Sequence, residues 1–389
     1  MAVFQSAQIL LPKTHNPEIW AVIACDQFAS EPGYWQAVRQ QVGNAPSALH
    51  LIWPEAELDD NADGRIAAIH TAMGQYLAAD YFTAYDGAFI YVERTLQNGQ
   101  IRRGIVGAVD LQAYDYRPDT QCAVRATEKT VVERIPPRVR IRKNAPLELP
   151  HVLLLCDDPM QSIFGSIHTD SLPIVYDFDL MEKGGHLTGR LVQGQAAQSL
   201  QKAINAYEAQ NTPVQYAVGD GNHSLAAAKA CYEANPSPLS RYALVELENI
   251  HDSSQVFAPI HRVIFQTDPA HLLAQLPQAE GGYPLRWVSG SNQGTVHLRL
   301  APGQLPVSAL QHFLDDYVSQ YGGNMDYIHG DASLLTLSQT ENTIGFFLPP
   351  MEKDTLFPGI LADGVLPRKT FSMGHAREKR YYLEAKKIK

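Results

Sequence analysis

One stretch constrains the fold more than any other: VQYAVGDGNHSLAAAKA, Val214 to Ala230. Val214, Tyr216 and Val218 alternate, which predicts a strand ending near Val218. Gly219 to Asn222 carry turn residues, and Ser224 to Glu233 are rich in the best helix former. The helix should stop before Asn235-Pro236, because the residue preceding a proline is driven out of helical geometry. Asp220 or Asn222 is placed to cap it. A strand, a glycine turn and a helix N-terminus in succession make an αβ unit. The opening amides of such a helix, together with its dipole, attract an anion. Glycines at 219 and 221 would let a phosphate approach the backbone. A carboxylate at Asp220 repels a phosphate, so its presence points to a bound cation or to proton transfer. Neither a Walker Gly-Lys-Ser/Thr run nor a dinucleotide GxGxxG run is present.

The remaining sequence reads as alternating strands and helices without an internal repeat. Tyr34 to Gly43 predicts a helix ended by glycine, and ALHLIW (Ala48 to Trp53) a short strand. Ile66, Ile69, Met73 and Leu77 fall on one helical stripe. Asn98-Gly99 joins two strands as a hairpin, as Gly184-Gly185 does further on. HVLLLCDD, YALVEL, PIHRVIF, TVHLRLA and TIGFFLP are strand-like, and AAQSLQKAINAYEAQ, HLLAQL and VSALQHFLDDYVSQ helical. Hairpins mixed with helical crossovers predict an α/β (α+β) fold, a mixed sheet with helices on its faces. The PGQLP loop near Pro302 suggests a main α/β domain over 1–300 and a C-terminal lobe over 301–389, ending in a basic tail from about Leu366.

Charge narrows the function. Lys and Arg number 31 against 41 Asp and Glu, a net charge of −10. An acidic chain is a poor partner for nucleic acid or an anionic membrane, although a local basic patch can hold one small anion. No apolar run approaches the roughly 18 residues of a membrane helix. The start, MAVFQSAQILLPK, lacks the basic and apolar regions of a signal peptide. Cys25, Cys122, Cys156 and Cys231 form no CxxC pair, so they read as reduced thiols of a cytoplasmic protein.

Several stretches carry chemistry. In RVRIRK, Arg138, Arg140 and Arg142 alternate with Val139 and Ile141. As a strand, this would set three guanidinium groups on one face, which a polyphosphate would neutralise. Arg125 and Glu128 lie just upstream, with Glu128 a candidate acid or base. Arg368 and Lys369 in LPRKTF are candidate phosphate contacts. Asp26 follows the apolar run WAVIAC and could line a cleft. His186, His261 and Arg262 are further cleft candidates, and His151 is a weaker one. Asp220, His223, His186 and His261 are residue types that bind transition metals, but no HExxH or HxH spacing occurs and no metal ligands are assigned.

These motifs also carry a resemblance. VIACDQFASEPGYWQAV, APSALHLIWPE, IYVERTL, RATEKTVVERIPPRVRIRKNAPLELPH, YDFDLMEKGGH, VGDGNHSLAAAK, APIHRV and LPRKTFSMGH resemble the family of domain of unknown function 1015 along essentially the whole chain. The DGNH run further resembles the DGHHR motif of ParB-like proteins, a superfamily that includes free-serine kinases. That resemblance implies a ParB-like core motif. It also implies an acidic pair, Asp220 with a separate Glu such as Glu128, that activates a hydroxyl, and phosphate contacts by the motif's other residues; Asp220, Gly221 and His223 match it by position, with His223 read as a catalytic candidate and Gly219, Gly221, Asn222 and Ser224 as phosphate-contact candidates. This chain has Asn222 and Ser224 where the motif commonly has His and Arg, so a phosphate donor must come from elsewhere, with Arg125, Arg138, Arg140, Arg368 and Lys369 the candidates. The leading expectation is a phosphotransferase that uses ATP or ADP with Mg²⁺ on a small hydroxyl metabolite such as free serine. A non-catalytic nucleotide-binding regulator and a metal-dependent hydrolase are the alternatives.

Overall fold

The computed structural model describes residues 2–58 and 62–389. Two sheets organise the chain. Among the described residues the larger has eleven strands. Its main path runs in space Ile174–Leu180, Gly185–Val192, Phe82–Thr95, Ile101–Asp110, Tyr242–Asn249, Leu153–Cys156, Tyr216–Asp220, Val124–Ala126 and Tyr114–Asp115. The hairpin half is antiparallel, whereas Leu153–Cys156 runs parallel to Tyr242–Asn249, and Tyr216–Asp220 parallel to Val124–Ala126. The sheet is therefore mixed, with helices on its faces.

Period-2 alternation explains the layering. On Phe82–Thr95, Ile90 and Val92 face one core, with Trp20, Trp35, Ile69 and Met73, while Phe89 and Tyr91 face another, with Leu200, Ile204 and Leu225. The Asn98-Gly99 turn forms as expected, with Gly99 at φ +80°, a conformation glycine adopts without strain. Ile69 and Met73 are buried on their helix, Ala62–Ala78.

The smaller sheet orders Asn292–Leu298, Gln278–Ser289, Ile344–Phe347, Phe257–Phe265 and Asn324–His329, with Phe371–Met373 paired to the start of Phe257–Phe265. A boundary at residue 300 passes between strands of this one sheet. Pro306–Tyr321 packs on one face through Leu310 and Leu314. A third core, including Leu153, Leu155, Ala217, Phe257, Leu356, Phe371 and Met373, welds the two sheets together.

Three local expectations are corrected. Ala48–Leu51 is a 3₁₀ turn, opened by the Ser47 hydroxyl accepting the Leu49 N–H at 3.2 Å. RVRIRK lies at the end of a helix, Ile135–Arg142, not in a strand. Pro136 and Pro137 stand in its first turn, where no intrahelical N–H is needed. The last residues are not a solvated basic tail. Tyr381–Tyr382 pairs with Val22–Ile23, and Lys386–Lys387 with Leu147–Glu148. Arg380, Glu384 and Lys386 are buried there. Arg380 bonds the buried Glu246 and lies 2.5 Å from Glu384, while Lys386 lies 3.4 Å from Glu148.

Removing one partner of a buried ion cluster leaves uncompensated charge. Arg380→Ala should therefore lower the unfolding free energy by about 3–5 kcal/mol, read from urea denaturation.

Candidate active site

The strand–turn–helix unit forms as expected, with the strand ending later and the helix starting earlier. The strand is Tyr216–Asp220 and the helix Asn222–Ala234, with Gly221 at φ +80° as its N-cap. Neither Asp220 nor Asn222 caps it through a side chain. Asp220 Oδ1 instead accepts the Gly221 N–H at 2.9 Å. The helix therefore opens at Asn222, whose N–H lies ahead of the first intrahelical bond. The two glycines are needed for packing against protein. A Cβ on Gly219 would meet Met373 Sδ at 2.7 Å, and one on Gly221 would meet Val152 at 3.0 Å. The alanines let the helix pack closely, with Ala226 and Ala227 against Ile135 of the arginine helix and Ala228 in the sheet core.

This helix end faces a cavity of about 630 Å³. Gly219 to Ser224 line it together with Asp26, Glu128, Arg138, Arg368 and Lys369. The structure thus brings together candidates from five separate stretches of sequence. Five Lys or Arg side chains (Lys129, Arg138, Arg368, Lys369 and Lys379) border it against four carboxylates, Asp26, Glu55, Glu128 and Asp220. In a chain of net charge −10, that balance makes the cavity a local positive site.

Its parts are held firmly. Arg138 pairs with Glu55, and Lys379 Nζ lies 3.3 Å from Asp220 Oδ2. The loop carrying Arg368 and Lys369 is pinned from two sides. Buried Arg262 donates to the carbonyls of Arg368 and Lys369 at 3.2 and 3.0 Å, while Glu128 Oε1 accepts the Thr370 N–H at 3.2 Å. Lys369 itself sits at φ +59°. Among the described residues, neither Arg368, Lys369 nor Lys129 forms an ion pair, although Arg368 lies 5.9 Å over the Tyr327 ring. His223 Nε2 accepts the Val131 N–H at 3.1 Å, which ties the helix start to the segment after Glu128. Burial pushes the Glu128 carboxyl above the ordinary range, against the pull of the Lys369 and Thr370 amides and the Lys369 charge. A carboxyl moved towards neutrality is a better proton acceptor near pH 7.

Five expected site residues lie elsewhere. Arg140 is turned away and pairs with exposed Asp63 at 2.6 Å, because a helix sets residues two apart on opposite sides. Arg125 is buried and donates to the Cys122 and Pro213 carbonyls, a structural role. His261 is held between the Leu348 N–H at Nδ1 and Asp331 at Nε2. Arg262 acts behind the wall and does not line the cavity. His186 bridges Asp177 and Asp179 on the hairpin, five strand spacings from Asp220, or about 24 Å.

Sequence reasoning missed Lys129, Lys379, His329 and His375. Lys129 adjoins Glu128 and His375 closes the LPRKTFSMGH stretch, so both stood beside a signal. Nothing local marks Lys379. His151, the weaker candidate, is buried and bonded to Ser224 at 2.8 Å.

Among the described residues no group of three His, Cys, Asp or Glu is arranged to hold a metal ion. Among the described residues, the hydrolase alternative therefore has no such ligand set to draw on. A Mg²⁺ carried by phosphate oxygens does fit, because it needs only one carboxylate, and Asp220 stands at the helix opening. Asn222 Oδ1 is buried without a hydrogen-bond partner, an orphan that a ligand or water would satisfy.

Two substitutions test the geometry. Lys369→Ala should weaken inorganic pyrophosphate binding roughly tenfold or more, the worth of a charge-assisted contact. Arg140→Ala should leave it unchanged. Isothermal titration reads both.

No helix among the described residues is long and apolar enough to cross a membrane. None of the curated protein sequences matches the chain. Among solved structures, it is similar to SbnI with C-terminal truncation from Staphylococcus aureus (11% identity, 69% of this chain and 83% of that one, TM-score 0.38). A conserved hypothetical protein from Pyrococcus furiosus is similar at 10% identity over 72% and 90% of the two chains, TM-score 0.35. So is a free serine kinase in complex with AMP, at 9% identity over 73% and 92%, TM-score 0.40. The family model described as "Protein of unknown function (DUF1015)" matches residues 8–387, and the chain belongs to that family.

Proposed function

We propose that the cavity binds the phosphates of a nucleotide, ATP or ADP, and transfers a phosphoryl group to a hydroxyl of a small metabolite, with free serine the first candidate. One observation carries this reading. Cations from two regions remote in sequence, Lys129 to Arg138 and Arg368 to Lys379, converge on an uncapped helix N-terminus and stand beside the half-buried carboxyl of Glu128. The Asn222 amide at the helix opening would receive a phosphate oxygen, which the helix dipole favours. Lys369, Arg368 and Arg138 would neutralise the charge that develops on the transferring group. Mg²⁺ on the phosphates, sharing Asp220, would add to that neutralisation. Glu128, raised by burial and lying against the Lys369 loop, would take the acceptor's proton. Phosphoryl transfer needs little covalent chemistry from the protein beyond such positioning and charge, which is what the cavity offers.

Titration of the full chain with ATP, ADP and AMP, followed by a transfer assay across hydroxy amino acids, tests the proposal. Binding of ATP or ADP followed by transfer supports it. A cavity that takes none of these nucleotides sinks it.

The pH dependence has a definite sign. Glu128 is active as a base when ionised, and its folded pKa lies above that of an unperturbed glutamate, about 4.3. Turnover should rise with pH through an acid limb displaced upward from that value. Glu128→Gln should remove the limb and lower kcat by roughly 10²-fold or more, with nucleotide affinity retained.

A further inference from the structure

Ser224 stands in the first turn of the alanine helix and lines the cavity. A serine in a helix commonly returns its hydroxyl to a carbonyl of the preceding turn. Here Oγ lies 2.8 Å from His151 Nε2. The other imidazole nitrogen, Nδ1, lies 2.7 Å from the Tyr382 hydroxyl, whose oxygen also accepts the Cys25 N–H at 3.1 Å. The Tyr382 ring stands edge-on to the imidazole at 88°. His151 and Tyr382 are both buried, and neither reaches the large cavity. The order from cavity to interior is therefore hydroxyl, imidazole, orienting hydroxyl. That is the arrangement of a serine nucleophile backed by a base whose ring is fixed by a third group.

Burial holds His151 below the usual histidine range, against the opposing carboxylates of Asp26 and Asp220. At neutral pH the ring is then uncharged, and with Nδ1–H given to the tyrosine oxygen, Nε2 can accept a proton. The product of the step is also favoured where it would form. A phosphoserine in the first turn of a helix places its charge against the positive end of the dipole.

We propose that Ser224 is the first acceptor of the phosphoryl group, so that transfer runs through a phosphoserine enzyme. This rests on the phosphotransfer reading above and deepens it. In the first half, Ser224 Oγ forms a bond to the terminal phosphorus of the nucleotide. The bond from phosphorus to the bridging oxygen breaks, and its electron pair leaves with the shortened nucleotide. The Ser224 proton moves to His151 Nε2. In the second half, the metabolite hydroxyl attacks the same phosphorus and yields its proton to Glu128. Ser224 Oγ departs and recovers its proton from His151. No oxidant, reductant or further reactant is needed.

The test uses the full chain. Nucleotide affinity is first measured by titration with Mg-ATP and Mg-ADP. The protein is then incubated with the nucleotide that binds, in the absence of any acceptor, and its intact mass and peptide map are recorded. The expected result is the gain of one phosphoryl group on Ser224, discharged when hydroxy amino acids are added. Ser224→Ala, in a helix already rich in alanine, should keep its thermal melt and bind nucleotide within about twofold, yet neither gain the group nor turn over. His151→Gln should slow phosphorylation by roughly 10²-fold, the usual weight of a general base. Tyr382→Phe keeps the ring and should slow the same step while nucleotide affinity stays constant. Nucleotide binding without phosphoserine, turnover by Ser224→Ala, or a phosphoserine that acceptors do not discharge would each overturn the intermediate while leaving the cavity a nucleotide site. Absence of nucleotide binding would overturn both proposals.

Discussion

The site depends on how one short loop, Arg368 to Thr370, is held. Arg262 is wholly buried, and such a cation is tolerated only when its donors are matched. Its Nε reaches Gln311, and its remaining donors go to the carbonyls of Ile260, Arg368 and Lys369. The ring of Tyr327 lies 4.6 Å away on its face. Burial nonetheless lowers its pKa to about 10, which still leaves it charged at neutral pH. From the other side Glu128 accepts the Thr370 amide. A guanidinium and a carboxylate thus hold one stretch of backbone between the two sheets. Without that clamp, Lys369 would have no reason to remain in a left-handed conformation beside the alanine helix.

The same economy governs the C-terminus. Arg380 is anchored by Glu246 in the large sheet and by Glu384, and the preceding residue, Lys379, is thereby delivered to Asp220. This bears on the carboxylate at the helix opening. Asp220 is already partnered by Lys379, so its charge is offset within the protein itself. The cavity gathers positive groups in an acidic molecule because each is fixed by backbone or carboxylate contacts made in a different element.

Legibility followed the range of the interactions. The two hairpins, the strand Tyr216–Asp220 and the alanine helix depend on neighbours within about four residues, so alternation, glycine and alanine suffice to read them. ALHLIW misled because its apolar residues are buried by tertiary packing while a serine hydroxyl bends the backbone into a 3₁₀ turn. The arginine row misled because alternation of Arg with Val and Ile imitates a strand. Two prolines at a helix start give the same local pattern a different outcome. The helix then sends Arg138 to the cavity and Arg140 to Asp63. His261 and Arg125 are chemically suited to a site and are spent instead on buried carbonyls, amides and a carboxylate.

Taken alone, the chain's order of residues determined a mixed α/β architecture, a helix N-terminus opened by glycine, and the presence of Asp220, Glu128, Arg138 and Lys369 as candidate groups. Those are consequences of local sterics and of residue chemistry. Only the tertiary structure decided that Arg138, Lys369 and Lys379 meet at that helix while Arg140 and His186 do not, and that His151 and Tyr382 stand behind Ser224. Such meetings depend on sheet order and on the burial of remote segments, which no short window of sequence encodes.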